Sequence, residues 1–330
     1  MELDRNGING TTGFILLGLI YSIQERHIIV PLQVIIFIVG LLANILIIMI
    51  VHSKDSLKNP KNMLIFHLCI ADVCGLLTFS PYFITRFCLA SPEPITLKWC
   101  LVQYYVLNVF NCIETWMITF MAIDRFFVIC YPFDYQMKVS NHHINSFVVI
   151  CWITAVIYPM FYVFPFSGHD SCYLVTSYSF LCTGASLEAS VCVPSITIFP
   201  KYYRLLMLAI HLMGALLIVA LSYIKIYRAA QHARLDESSK KAMNTVVTHG
   251  IVLFIFFANA YILFITGCLE TSDAPSGSVL TVLRLTADLL YLNVPPTMNP
   301  IIYGIRNEDM KKEILRLLRA NAKLIRPLVK

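Results

Sequence analysis

The chain has 330 residues, 58% of them hydrophobic and only 13% charged, with 25 Lys and Arg against 19 Asp and Glu. A water-soluble domain is roughly 45–50% apolar and about 25% charged, so this chain lacks the polar side chains to cover a soluble globule of its size. That argues against a soluble enzyme. It also excludes a disordered chain, which needs low hydrophobicity and high net charge, and nothing points to a nucleic-acid partner.

Seven long apolar stretches follow one another at 28–51, 62–85, 99–123, 145–166, 205–224, 242–268 and 279–303. Each can cross about 30 Å of hydrocarbon at about 1.5 Å per residue. Together they cover about half the chain yet hold only Asp72, Glu114, Arg284 and Asp288 as charged residues. The first stretch is apolar nearly all round, as a helix facing lipid and neighbouring helices must be. The sixth opens less cleanly, with Asn244, Thr245, Thr248 and His249, but 250–268 alone is nearly long enough to span. The expected fold is an all-α membrane protein, a seven-helix bundle.

Eighteen of the 25 basic residues flank the spans on one side, from Lys54, Lys58 and Lys61 to the run between Arg306 and Lys330. Basic flanks favour the cytoplasm, so the expected N-terminus is extracellular and the C-terminus cytoplasmic. Asn9-Gly10-Thr11 is then a glycosylation sequon on the accessible side. No basic leader precedes the short run from Phe14 to Ile20, and the first span is expected to act as its own insertion signal. The chain divides into an N-terminal segment, 1–27, a bundle, 28–303, and a tail, 304–330. Within the tail, Met310, Ile314, Leu317 and Leu318 recur at helical spacing among Lys and Arg, which predicts an amphipathic helix over Glu308 to Ala320 lying on the lipid bilayer.

Five cysteines, Cys69, Cys74, Cys112, Cys130 and Cys151, lie in or near the spans, where a lone Cys is usually a small buried hydrophobe. Cys172, Cys182 and Cys192 are spaced ten apart in the long segment after the fourth span, on the oxidising side, and Cys100 stands at the outer end of the third. Four cysteines allow three pairings, which spacing does not decide. Cys88 and Cys268, near outer helix ends, either pair or stay free. No zinc spacing, phosphate loop or nucleophile elbow is present, so no catalytic residue is expected.

Two stretches carry recognisable mechanics. Met121-Ala122-Ile123-Asp124-Arg125-Phe126-Phe127-Val128-Ile129-Cys130-Tyr131-Pro132 places an acid beside a base at a membrane boundary, a pair that can close in one state and open in another. Pro295-Pro296-Thr297-Met298-Asn299-Pro300-Ile301-Ile302-Tyr303 removes backbone donors late in the seventh span and makes a hinge there. In order, these stretches resemble the rhodopsin-like G-protein-coupled receptors, and more narrowly the odorant receptor family. Phe14-Ile15-Leu16-Leu17-Gly18-Leu19 is similar to that family's FILLGL opening, and Asn44 sits where its first span carries an Asn. Lys241-Ala242 with Thr245, Thr248 and His249 resembles KAxSTCxSH, and the last run resembles PPxxNPxIYxxRN. The departures are Ile123 and Phe126 for the latch tyrosines, Val246 for a Cys, and Phe256-Phe257-Ala258 for Phe-Tyr-Gly.

The resemblance implies bridges Cys100–Cys182 and Cys172–Cys192, and a receptor without catalysis. It implies no required cofactor, and a site for a bound sodium ion at Asp72 and Glu114 with Asn44 and Asn299. Ionisable groups at membrane depth are costly, and the alternative to an ion there is a protonated, hydrogen-bonded carboxyl. The small-molecule odorant is expected beneath the bridged loop, against Leu107, Asn108, Asn111 and Cys112 of the third span, with His211, Phe257, Ala260, Tyr261, Phe264 and Asn293. Activation is assigned to Asp124, Arg125, Tyr223, His249, Asn299, Pro300 and Tyr303, which would meet a heterotrimeric G protein of the stimulatory class at the plasma membrane. Arg284 and Asp288, one turn apart, are expected to pair with each other. A transporter or channel is the rival reading, opposed by the odd number of spans and the missing repeat. A receptor for a hormone or peptide is a second, opposed by the KAxxTxxTH stretch and the cysteine spacing.

Overall fold

The computed structural model describes residues 3–4, 12–16, 23–89, 94–131, 134–135, 141–177, 179–232, 250, 254, 257–258, 260–262, 265 and 278–325. Asn9, His249, Phe264 and Cys268 lie outside the described residues. The chain forms α1 (Ile23–Ser53), α2 (Pro60–Leu89), α3 (Leu97–Cys130) and α4 (Asn141–Val163). A short helix, α5 (Gly184–Ser190), lies in the loop that follows. The fifth span is α6 (Ser195–Leu208), a π turn (Ala209–Met213) and α7 (Gly214–His232) in one continuous run. The described residues of the sixth span are helical. The chain then enters α8 (Ser278–Arg306) and α9 (Glu308–Ile325). The stretches His27–Ser53, Pro60–Cys88, Leu97–Cys130, His142–Phe166 and Ser195–Ala229 are long and apolar enough to cross a membrane. Helix α8 is more polar because it carries Arg284 and Asp288.

Helices outrun the apolar stretches because hydrocarbon limits which side chains are tolerated, while the i to i−4 ladder continues into water. Thus α3 is 34 residues long, and the Thr96 side chain accepts a hydrogen bond from Trp99 N at 3.4 Å to cap its start. Apolar side chains face both ways. Ile28, Leu32, Ile35 and Leu42 of α1 are exposed, while Ile47, Ile50 and Val51 are buried. That is the distribution expected when the outer solvent is lipid.

Two cores divide the bundle. One is aliphatic and central, built on Leu64, Leu68, Ile113, Met117, Ile118 and Ala122. The other is aromatic and lies at the end that carries the disulfides, where Phe83, Phe87, Phe166 and Phe180 pack with Leu187. The bridges there are Cys100–Cys182, with Cα atoms 5.5 Å apart, and Cys172–Cys192, at 5.3 Å. Cys88 is an exposed thiol without a disulfide.

Over this second core lies a small sheet that the sequence reading left out. Strands β1 (Leu3–Asp4), β2 (Gly13–Leu16) and β3 (Leu174–Ser177) stand in the order β1-β3-β2, with β2 parallel to β3. The signal is weak because β2 and β3 have four residues each and are joined across about 160 residues. Phe14 faces Val175 in register and also exchanges backbone hydrogen bonds with Ile95, at 2.9 and 2.8 Å. Gly13 makes this possible: its φ is +140°, and a Cβ there would lie 2.7 Å from the Ile95 carbonyl oxygen.

Phe14 is fully buried, so Phe14→Ala should destabilise the fold by about 3 kcal/mol or more, read as earlier thermal unfolding of detergent-solubilised protein. Losing the 82-residue Cys100–Cys182 link should cost about 2–5 kcal/mol. Flow cytometry of a tagged Cys100→Ser variant is therefore expected to show most of the surface population gone. Wild-type display would contradict this.

Candidate functional site

Beneath the bridged loop lies a cavity of about 190 Å³. Its α3 wall is Tyr104, Leu107, Asn108, Asn111 and Thr115, which share one helix face because they recur every three or four residues. Arg204, Leu208, His211 and Leu212 line it from the fifth span, Ala260 from the sixth, and Arg284, Asp288 and Tyr291 from α8. Residues Leu181 to Ala185 form the roof. Of the residues expected to contact ligand, Leu107, Asn108, Asn111, His211 and Ala260 meet here.

The other described ones lie elsewhere. Cys112 sits just behind the wall, its Sγ 3.2 Å from His211 Nε2. Asn293 opens onto a neighbouring cavity of about 60 Å³, shared with Gln33, Asp72, Glu114 and Phe180. Phe257 and Tyr261 line a third cavity, with Tyr223 and Gly250. They are four apart and share a face, whereas Ala260 is turned about 100° from Tyr261. Arg204 falls one residue outside the apolar stretch 205–224, so the sequence pattern gives no reason to place it in the cavity. Tyr104, Tyr158 and the roof residues carried no signal until the loop had a place.

His211 is held rather than loose. The Trp116 indole N–H donates to its Nε2 at 3.1 Å, which leaves Nδ1 as the protonated nitrogen, donating to the Met207 carbonyl at 3.2 Å. The neutral ring therefore offers the cavity a face, 4.8 Å from the Tyr158 ring centre. It sits in the π turn, a rare backbone form that recurs at functional sites.

The roof is tied down on several sides. Besides the Cys182 bridge, the Cys182 N–H donates to Gln103 Oε1 at 2.9 Å. Ser179 Oγ and Phe180 N donate to Asp288 Oδ2 at 2.6 and 3.2 Å. Arg284 Nε lies 3.4 Å from Asp288 Oδ1, so Arg284 and Asp288 pair within α8 while Asp288 also anchors the loop. On the far side Glu188 of α5 receives Arg204 Nε at 2.9 Å and Nη2 at 3.2 Å, a bidentate pair. The Tyr162 hydroxyl lies 3.2 Å from the same carboxylate.

Deeper in the bundle, Asn299 Nδ2 is 3.5 Å from both Asp72 Oδ2 and Glu114 Oε1. Asn44 Nδ2 donates to the Gly40 and Pro296 carbonyls at 2.9 and 2.7 Å, tying the first span to the hinge. The Oδ1 atoms of Asn44 and Asn299 are buried without a hydrogen-bond partner among the described residues. Carboxylate and amide oxygens are the kind of donor a hard cation takes, and Asn299 brings the Asp72 and Glu114 carboxylates to one place.

At the opposite, basic end, Arg125 Nη2 lies 3.5 Å from Asp124 Oδ2, and the Tyr135 hydroxyl donates to Asp124 Oδ1 at 2.6 Å. Burial first, and then the adjacent Asp124 carboxylate, push the Tyr135 hydroxyl above the ordinary tyrosine range. Phe126, which lacks the tyrosine hydroxyl, instead has Lys225 Nζ 5.3 Å from its ring centre, a cation–π contact between α3 and α7. Tyr223 packs against Gly250, where a Cβ would stand 3.0 Å from its ring. Tyr303 and Asn299 are buried.

Residues 43–303 match the family described as 7 transmembrane receptor (rhodopsin family). Olfactory receptor 1f45 of Rattus norvegicus is 27% identical over 310 residues, covering 94% of this chain and 96% of that protein. Olfactory receptor 4C16 of Homo sapiens is 27% identical over 320 residues, covering 94% and 95% respectively. Olfactory receptor 1496 of Rattus norvegicus is 24% identical, covering 93% and 96%. The chain thus belongs to the rhodopsin family of seven-transmembrane receptors, non-enzymatic proteins that cross the plasma membrane several times.

Proposed function

We propose that this receptor is activated by an odorant and drives a stimulatory, adenylyl-cyclase-linked G protein. The observation that carries the reading is the cavity of about 190 Å³, roofed by a disulfide-bonded loop and lined by Asn108, Asn111, His211 and Ala260. Similarity to olfactory receptors over nearly the whole chain supports it. The cavity end is extracellular and the basic end cytoplasmic, following the distribution of Lys and Arg. An odorant that fits the active arrangement better than the resting one shifts the population by no more than its differential affinity. The Asp124–Arg125 pair, with Tyr223 and Tyr303, then rearranges at the cytoplasmic face to admit the G protein.

Cells expressing the full chain with a cyclic-AMP reporter should respond to members of a panel of volatile and water-soluble odorants. Odorant-gated ion current or substrate uptake in cells lacking G proteins would establish the transporter or channel reading instead.

The oxygen set at Asp72, Glu114, Asn44 and Asn299 is assigned to a sodium ion, which when bound neutralises charge between the helices and favours the resting state. Replacing sodium by choline in a membrane binding assay should tighten agonist binding severalfold, and Asp72→Asn should remove that difference. Agonist affinity indifferent to sodium would favour protonated, hydrogen-bonded carboxyls.

A further inference from the structure

We propose that the ligand of the roofed cavity is a small organic carboxylate, received by Arg204, with Arg284 presented from another wall. This deepens the odorant reading and rests on it.

The argument is an inventory of the polar groups that the cavity offers. Arg204 lines it, its side chain still 19% exposed. Its partner Glu188 is not part of the lining. A guanidinium carries five N–H donors in a rigid plane. Glu188 takes one from Nε and one from Nη2, so three are not taken by Glu188. The roof makes room for it. A Cβ on Gly184 would lie 2.5 Å from Arg204 Cδ and 2.6 Å from Nε, so the guanidinium stem occupies space that any other residue at 184 would fill. Asn111 adds to the donors: its Oδ1 accepts from the Thr115 hydroxyl at 3.5 Å, leaving the amide N–H groups for the cavity. Asn108, whose Nδ2 donates to Tyr104 O at 2.8 Å, presents an acceptor.

An ammonium ligand finds nothing comparable. Asp288, the one carboxylate among the described residues of the lining, is 1% exposed, and its oxygens are engaged by Ser179, Phe180 and Arg284. Asp72 and Glu114 line the neighbouring cavity instead. Arg204 and Arg284 are paired with Glu188 and Asp288, so charge within the protein is balanced; what favours an anion is the set of Arg204 N–H donors beyond those that Glu188 takes, and the planar fork matches a carboxylate in particular. Leu107, Leu208, Leu212, Ala260 and Tyr291 make the remainder largely apolar, which suits a short hydrocarbon body.

The test applies propionate, hexanoate and octanoate, with alcohols and amines of the same chain lengths, to the full receptor in the cyclic-AMP assay. In parallel, purified receptor is followed by thermal unfolding, a readout that needs no G protein. An acid should be the strongest ligand of its length in both. Arg204→Gln should raise its half-maximal concentration about tenfold to a hundredfold, as loss of a charged hydrogen bond does. Glu188→Gln should lower that concentration, because the fork is released from its competitor; a merely structural pair would give the opposite sign. If Arg204→Gln fails to reach the surface, Glu188→Gln decides. Alcohols or amines acting where the acids are silent would overturn the carboxylate site and leave the receptor reading standing. Acids that raise the unfolding temperature without cyclic AMP would uphold the site and overturn the coupling. Acids without effect in either assay would overturn the inference.

Discussion

Hydrocarbon cannot hydrate a charge, and that single cost shapes this molecule. Ionisable side chains inside the bundle are accepted only where other polar groups answer them. Asp288 is met by a hydroxyl, a backbone N–H and a guanidinium. Arg204 is met by both oxygens of Glu188. Asp72 and Glu114 share the Asn299 amide. Asp288, Arg204, Asp72 and Glu114 are each answered from another element, so each becomes a tie between elements, and the position of the loop, the hinge and the third helix follows from those ties.

The same rule explains why the disulfide-bonded cap is so heavily fastened. A loop laid over a cavity would leave backbone groups without partners. Here β3 lies between the two N-terminal strands, Cys182 is bonded to α3 by sulfur and through Gln103, and α5 is drawn to the fifth span by Glu188. A cap tied this way loses little further freedom when a ligand arrives.

Much of this was legible in the sequence. Seven apolar runs and the rarity of charge within them dictate a helical bundle, and the spacing along α3 placed Leu107, Asn108 and Asn111 on one wall. What was not legible depends on long-range placement. Four-residue strands have no period long enough to read, and their pairing joins Phe14 to Val175. Phe257 and Tyr261 occupy a different cavity from Ala260 because one residue on a helix is a turn of about 100°, finer than a motif resolves. Arg204 looked like a flanking charge and lines the pocket, since a helix that extends past its apolar run still contributes its outer turn to the cavity wall. Arg284 and Asp288 could be paired from their spacing, but the loop that completes the Asp288 shell comes from more than a hundred residues away.

The junction between the last two helices fixes an angle. Asn307 Nδ2 donates to Asn62 Oδ1 at 2.6 Å, while its own Oδ1 receives Asp309 N and so starts α9. Met310 is fully buried, and Lys54 Nζ lies 3.8 Å from Glu313. The amphipathic helix is therefore bolted to the ends of α1 and α2. A helix so joined serves as an outrigger: α9 moves with the ends of α1 and α2, and neither can tilt without carrying it along.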